Sequence, residues 1–438
     1  MAMIKCYPCL SAPAQGGMLV AHPAGINLKN LTSFGPLAAF QVRSFRFQWP
    51  GDLLASWAFE METLILGWYI LVESGSVLLL TLFGSLNFIG TLLAPMFGAA
   101  GDQLGRRIMM CSMRAFLAFL AAVIMVLGLL DMLNLGLVFA VVIFGGLVRP
   151  SDIVMRNALI GDTMPAGRLA NALGLSRTTM DSARIVGALT GAGLFSVLGI
   201  GYAYVVVAAF YLISFVFTLG VSPARPARPA RPAAGAPKLS QWTEFKDGLT
   251  VVRTTPVLLG VMLLAFLINM TAFPISHGLM PYVAREIFVV DENGLGQLVA
   301  GFAAGALTGS IFMAVAGARG HPGRMSLFGV LGWYICLAIF IQFETKNAGF
   351  VTLMIMGVSH SLGMISMSVL LLDATESRYR GRVMGVRMLA VYGLPIGLMA
   401  SGVLIEWIGF KATASIYITT GIVLTLFIAY RWRTAFWR

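Results

Sequence analysis

Gly98-Ala-Ala-Gly101-Asp102-Gln-Leu-Gly105-Arg106-Arg107 is a short charged break between two long apolar runs. Gly105 permits the positive φ of a tight turn. Asp102 is suited to capping a helix N-terminus and facing its positive dipole end. Two arginines beside an apolar run mark the membrane face on which basic residues collect. The stretch therefore reads as a hairpin between two membrane-crossing helices.

Working outward, apolar runs recur at 49–71, 76–100, 107–130, 135–160, 169–198, 202–221, 256–283, 295–316, 325–343, 350–372, 382–408 and 412–430. Spanning a bilayer takes about 20 apolar residues per helix. Of the 438 residues, 58% are hydrophobic and 11% charged, against about 25% charged in an ordinary soluble protein. No water-soluble fold hides that much apolar surface, whereas helices in lipid satisfy their own backbone groups. The expectation is an all-α membrane protein of twelve transmembrane helices.

The net charge of +12 would suggest nucleic acid as a partner in a soluble protein. Here the basic residues gather at the ends of the runs. Twenty-one fall on one side of the alternating scheme, 3 on the other and 6 inside the runs. That asymmetry predicts both termini on the cytoplasmic face of a cell membrane, such as a bacterial inner membrane. The bilayer, not nucleic acid, is then the partner of the positive charge.

Residues 1–45 read as a cytoplasmic tail, rich in Pro, Gly and Asn and expected to be disordered, with no secretory signal. Cys6 and Cys9 form a single CxxC there, without the second pair that metal binding needs. Cys111 and Cys336 fall in apolar runs and read as packing residues. A six-helix bundle at 46–221 and another at 256–438 flank a cytoplasmic linker at 222–255. Ala-Arg-Pro occurs three times in that linker, at 224–232, and predicts an extended spacer. The halves look alike. Gly174 matches Gly385 and Gly191 matches Gly402, both 211 residues apart, and Gly105-Arg106 recurs as Gly323-Arg324. Repeat-built carriers place their substrate site between the halves, near mid-membrane.

The loop at 98–107 resembles the signature loop of the major facilitator superfamily: Gly98, Asp102, then Gly105-Arg106-Arg107. The resemblance extends over all twelve runs and implies the major facilitator fold, two six-helix bundles. It implies that Asp102 faces the start of the eleventh helix and that Arg106 or Arg107 pairs with Asp162, a latch favouring the outward-facing state. The second copy, Gly320-His321-Pro322-Gly323-Arg324, lacks the acid; Asp373, the repeat counterpart of Asp162, reads as the partner of Arg324. The segments Arg149-Pro150, Asn157-Ala158-Leu159-Ile160 and Asn171-Ala172 resemble the enterobactin-exporter-like and drug-efflux branch. That implies export of siderophores or amphipathic compounds by proton antiport. Gly187-Ala188 with Gly191-Ala192-Gly193 resembles an antiporter motif, with Ala188 and Ala192 departing from it. Close helix packing by small residues accounts for the run equally.

Ionisable residues inside the runs are costly and mark function by default. Arg149, Asp152 and Arg156 share one helical face, as do Arg177, Asp181 and Arg184. This predicts that each of Arg149 and Arg156 pairs with Asp152, and that the two stripes form one network on the fourth and fifth helices. Four arginines against two aspartates would suit an anionic substrate. Glu60 and Glu62 lie about 200° apart around a helix, so they cannot both face one cavity. Either is a candidate proton carrier, as is Asp181. Asp52 reads as a helix-end partner of Arg43 or Arg46, and Arg114 as a snorkelling or paired residue. In the second half, His277 and His360 can titrate near neutral pH but read singly as packing residues, and Arg387 is expected to meet Asp373 or substrate.

No P-loop, HExxH or paired CxxC set is present. The whole predicts a monomeric secondary transporter, not an enzyme, with no cofactor and a proton gradient as its energy source. It would export a small amphipathic or anionic compound by alternating access. A facilitator, importer or lipid flippase of the same fold, and a non-transporting sensor, are the alternatives.

Overall fold

The computed structural model describes residues 38–222, 241–316, 321–376 and 379–437, although some side chains within those ranges, including that of Asp102, lie outside the description. The expected tail before residue 38, its CxxC and the Ala-Arg-Pro repeats lie outside the described residues. Two expectations at the edges change. Residues Ala38–Gln41 form a 3-10 turn with Ala38 and Ala39 buried, and the Ala39 amide donates to Asn171 Oδ1 at 3.2 Å. The end of the tail is thus packed. The last part of the expected extended linker is the helix Gln241–Thr254, which packs against neighbouring helices of the second half.

The crossings run as follows. α1 is Arg43–Ser74. α2 starts as Val77–Leu86 and continues through a 3-10 turn into Ala94–Leu104. α3 is Arg106–Leu129 and α4 is Leu135–Thr163. α5 and α6 are the two arms of Ala166–Leu219, divided at Gly199. α7 begins as Pro256–Phe273 and goes on through two wide π turns, Pro274–Gly278 and Val283–Ile287. α8 is Glu292–Ala316, α9 is Pro322–Phe340 and α10 is Lys346–Asp373. α11 comprises Arg380–Ala390 and Gly393–Ile408, and α12 is Phe410–Arg431.

Among the described residues, 9 helices are long and apolar enough to cross a membrane, one of them spanning Asn171–Leu219. That one holds two crossings, α5 and α6. α1 falls outside the count because Asp52, Glu60 and Glu62 interrupt its apolar run, and α2 because it is broken into shorter pieces. Adding these gives the twelve that the sequence predicts.

The reversals have local causes. Gly199 has φ 74° and Gly409 φ 81°, a conformation that costs a residue with a Cβ but not glycine. They close the α5–α6 and α11–α12 hairpins, equivalent positions in the two halves. Ser76 and Asn134 cap α2 and α4 by accepting from the amides of Leu79 and Leu137. Large apolar side chains such as Leu212, Val216, Ile355 and Phe427 are exposed, as helices facing lipid require.

The face where α1 begins is called the terminal face below, and its opposite the far face. The halves meet along α5 with α8 and α2 with α11. Among the described residues, Asn293 Nδ2 donates to Ser196 Oγ at 2.9 Å towards the far face, and Ser85 Oγ donates to the Pro395 carbonyl at 3.1 Å nearer the middle of the seam. The halves are thus closed onto each other at the far face.

Candidate functional site

Three polar constellations sit inside this apolar bundle. The deepest lies in the first half. Arg114 on α3 is fully buried and ion-paired with Asp52 on α1; its Nη1 donates to Thr218 Oγ1 on α6 at 2.6 Å. Arg156 on α4 holds Asp152 at 3.0 Å and donates to Ser56 Oγ at 3.0 Å. Asp52 and Asp152 each lie 3.6 Å from the opposite arginine. Four helices are thus tied by two cations and two anions. Buried charges persist only when so paired.

This corrects the expected role of Asp52. It is not a helix-end partner of Arg43 or Arg46; it is buried against Arg114. The i, i+4 spacing of Asp52 and Ser56, matching that of Asp152 and Arg156, was the signal available in the sequence. Beside this cluster, Arg149 pairs with Glu62 instead of Asp152 and donates to Asn87 Oδ1 at 2.8 Å. Tyr211 completes the group by donating to Glu62 at 3.2 Å.

The second constellation faces the seam between the halves. Arg184 on α5 holds Glu60 on α1 at 3.4 Å, and Arg177 holds Asp181 at 3.6 Å, its own side chain largely exposed. Glu60 and Glu62 therefore do face opposite ways. The two basic-acidic-basic stripes form separate groups, because α4 turns its charges onto the side of α1 that carries Asp52 and Glu62 while α5 turns Arg184 onto Glu60 on the other side of α1. Gly187 and Gly191 explain how α5 comes so near α1. A Cβ at Gly187 would stand 2.8 Å from Glu60 Cβ, and one at Gly191 would stand 3.0 Å from Met61 Cα. The small-residue run here serves helix packing. Across the seam, Arg387 on α11 is half-buried and lies within the electrostatic reach of Arg177. Among the described residues it has no ion pair, with Asp373 or otherwise.

The third constellation is one that the sequence reading missed as a unit. His277 on α7 and His360 on α10 come together, ring centroids 6.2 Å apart. Phe273, Phe302 and Trp333 wall them in, Trp333 at 4.7 Å from His360 and Phe302 at 4.6 Å from His277. His277 lies within the first π turn of α7, a widening often found at functional positions; Pro274 starts that turn because it lacks the amide hydrogen an α-helix would use. The pairing of helices seven and ten in the fold was the available signal.

At the terminal face, Arg106 Nη1 meets Asp162 at 2.6 Å and the Ala158 carbonyl at 3.1 Å, while Arg107 donates to the Leu219 carbonyl. The Arg106–Asp162 pair is the one expected. Gly98 and the Asp102 side chain lie outside what is described. Arg324 donates to the Trp437 carbonyl at 2.9 Å, with its guanidinium 5.9 Å from that indole, and makes no ion pair with Asp373. Trp437 thus takes the place expected of the acid. An apolar groove of about 440 Å³ between α3 and α6, lined by residues such as Ala115, Ala122 and Leu212, has no charged side chain in its lining.

Two like six-helix halves around polar groups, embedded in lipid-facing helices, define a membrane carrier. The Major Facilitator Superfamily model matches residues 49–392 and 275–437, and the chain belongs to that superfamily, one of transporters and not of enzymes. No curated protein matches the sequence. Solved structures share the fold. The nucleoside transporter NupG is 14% identical with a TM-score of 0.66, over 90% of this chain and 99% of that one. A bacterial homolog of the human lysosomal transporter Spinster is 14% identical with a TM-score of 0.68, over 90% and 98%. The human organic anion transporter MFSD10 is 16% identical with a TM-score of 0.61, over 88% and 99%.

Proposed function

We propose that this chain carries a small anionic or amphipathic compound across a cell membrane by alternating access, driven by a proton gradient and acting as a monomer. The observation that carries the reading is the charge at the seam. Arg177, Arg184 and Arg387 are there against two carboxylates, Glu60 and Asp181, whose ion pairs at 3.4 and 3.6 Å are long and only partly buried. The buried groups of the first half offer no such imbalance, since three arginines meet three acids. The twenty-one basic residues on one side support cytoplasmic termini, as in a bacterial inner membrane.

Export by proton antiport is the direction implied by the resemblance to siderophore and drug exporters. Co-transport of the anion with a proton is the second reading. It is favoured by Asp52, Glu60, Glu62, Asp152 and Asp181 all standing beside an arginine, so that none holds a proton without breaking an ion pair. Thermal stabilisation by aromatic and aliphatic carboxylates, compared with matched amines, tests the charge preference. Stabilisation by the carboxylates that is lost in Arg184→Gln is the expected result; stabilisation by amines alone would refute it. Flux in proteoliposomes with the pH gradient imposed in either sense then separates export from co-transport.

A further inference from the structure

The two buried imidazoles of the second half, unlike the buried carboxylates of the first, have no countercharge in contact among the described residues. Ser276 Oγ donates to the Ala272 carbonyl at 2.8 Å, which commits its hydrogen. Its contact with His277 Nδ1, at 3.2 Å, therefore has the imidazole as donor. That tautomer leaves His277 Nε2 as a bare lone pair. Among the described residues the nitrogen is buried without a hydrogen-bond partner, as are His360 Nδ1 and Trp333 Nε1. Buried polar atoms left unmatched are costly and call for an explanation.

The surroundings are aromatic on most sides: Phe273 from α7, Phe302 from α8 and Trp333 from α9. Among the described residues, the charges that act on the pair come from α5: Arg184 on both rings and Arg177 on His360. Arg184 is in turn held by Glu60 of α1.

We propose that the His277–His360 pair is the proton-binding site of this carrier, and that a proton on the pair and an anion on Arg184 bind cooperatively. The proton passes from water to the lone pair of His277 Nε2, forming one N–H bond, while Nδ1–H stays on Ser276. The ring charge then rests against the aromatic walls, which attract cations. Arg184 opposes that charge, and an anion on Arg184 cancels the opposition. Linkage is reciprocal, so the proton raises the anion's affinity by the factor by which the anion raises the proton's. Both then cross in the same direction. The inference deepens the proposed function and rests on its anion reading.

The test needs no identified ligand, because Arg184→Gln removes the same charge that an anion would neutralise. The full chain, labelled with 15N-histidine and held in nanodiscs, is followed by NMR from about pH 5 to about pH 8. His277→Gln and His360→Gln assign the rings. At a given pH, the charged-ring signal of the pair should be at least twofold stronger in Arg184→Gln and Arg184→Met than in the native protein. Arg184→Lys should match the native protein, and His321 should not respond. Equal signals in all variants would overturn the proposal. If the linkage holds but only amines stabilise the protein, the anion reading fails and the proton site stands; if carboxylates stabilise it and the rings ignore Arg184, the reverse is true.

Discussion

Arg285 Nη1, at the far end of α7, donates to the Leu71 carbonyl at 2.6 Å and so ties the second half to the last turn of α1 in the first. The same oxygen accepts from the Gly75 amide at 2.9 Å. A guanidinium is thus seated on a helix C-terminus, where the negative end of the dipole favours a cation. The Asn293–Ser196 and Ser85–Pro395 bonds act at the same seam. Arg285→Gln should weaken closure of the far face by about 1 kcal/mol, roughly fivefold in population. Cysteines at Ser76 and Glu406, where Ser76 Oγ donates to Glu406 Oε1 at 3.4 Å, report it: their cross-linking by a short bifunctional thiol reagent should be slower in the variant. An unchanged rate would remove Arg285 from the closure.

The terminal-face latch predicts the opposite bias. Arg106 is on Asp162 within the first half, and the resemblance to the signature loop gives Asp102 the role of acting across the halves. Asp102→Asn should favour the state described here, closed at the far face. A cysteine at Thr178, an exposed position on α5, should then be labelled faster from the terminal face. Equal labelling in both proteins would reduce the loop to a turn with basic residues.

The buried cluster around Arg114 is a matter of stability. Removing one member of a buried ion pair strands the other and costs about 3–5 kcal/mol. Arg114→Met should lower the unfolding temperature sharply, because Asp52 and Asp152 lose a shared cation. Asp52→Asn combined with Arg114→Met should recover part of that loss, since it removes one stranded charge. Thermal unfolding in detergent measures both, and a double variant worse than the single one would contradict the pairing.

The helical crossings and the two-fold likeness were legible because lipid imposes long apolar runs and one-sided basic loops, whatever the tertiary detail. The same rule hid two crossings from a pure length-and-hydropathy criterion, since α1 carries its charges inward and α2 is broken by a 3-10 turn. Side-chain partners were less legible. The helical spacing that puts Asp152 beside Arg156 also puts it near Arg149, and only the position of α1 decides that Arg149 takes Glu62. Asp52 looked like an end residue because helix register says nothing about what α3 delivers. The two histidines are 83 residues apart, and nothing local in the chain joins them.

Glu60 and Glu62 separate structure from function on a single turn of helix. Glu62 is buried, with Arg149 and Tyr211 closing on it. Glu62→Gln leaves Arg149 as an uncompensated buried cation, so loss of folded protein is the expected outcome. Glu60 is partly exposed, and its hold on Arg184 at 3.4 Å is loose. A pair of that kind contributes at most about 1 kcal/mol, so Glu60→Gln should leave the unfolding temperature nearly unchanged. What it does change is the seam, where Arg184 loses its internal competitor. If an anion is the cargo, it should bind Glu60→Gln more tightly than the native protein, by up to roughly fivefold for that energy. Carboxylate-dependent stabilisation of the two proteins, compared over a concentration series, makes the measurement. A Glu60→Gln protein that folds normally and binds carboxylates more weakly would mean that Glu60 does not compete with the anion for Arg184.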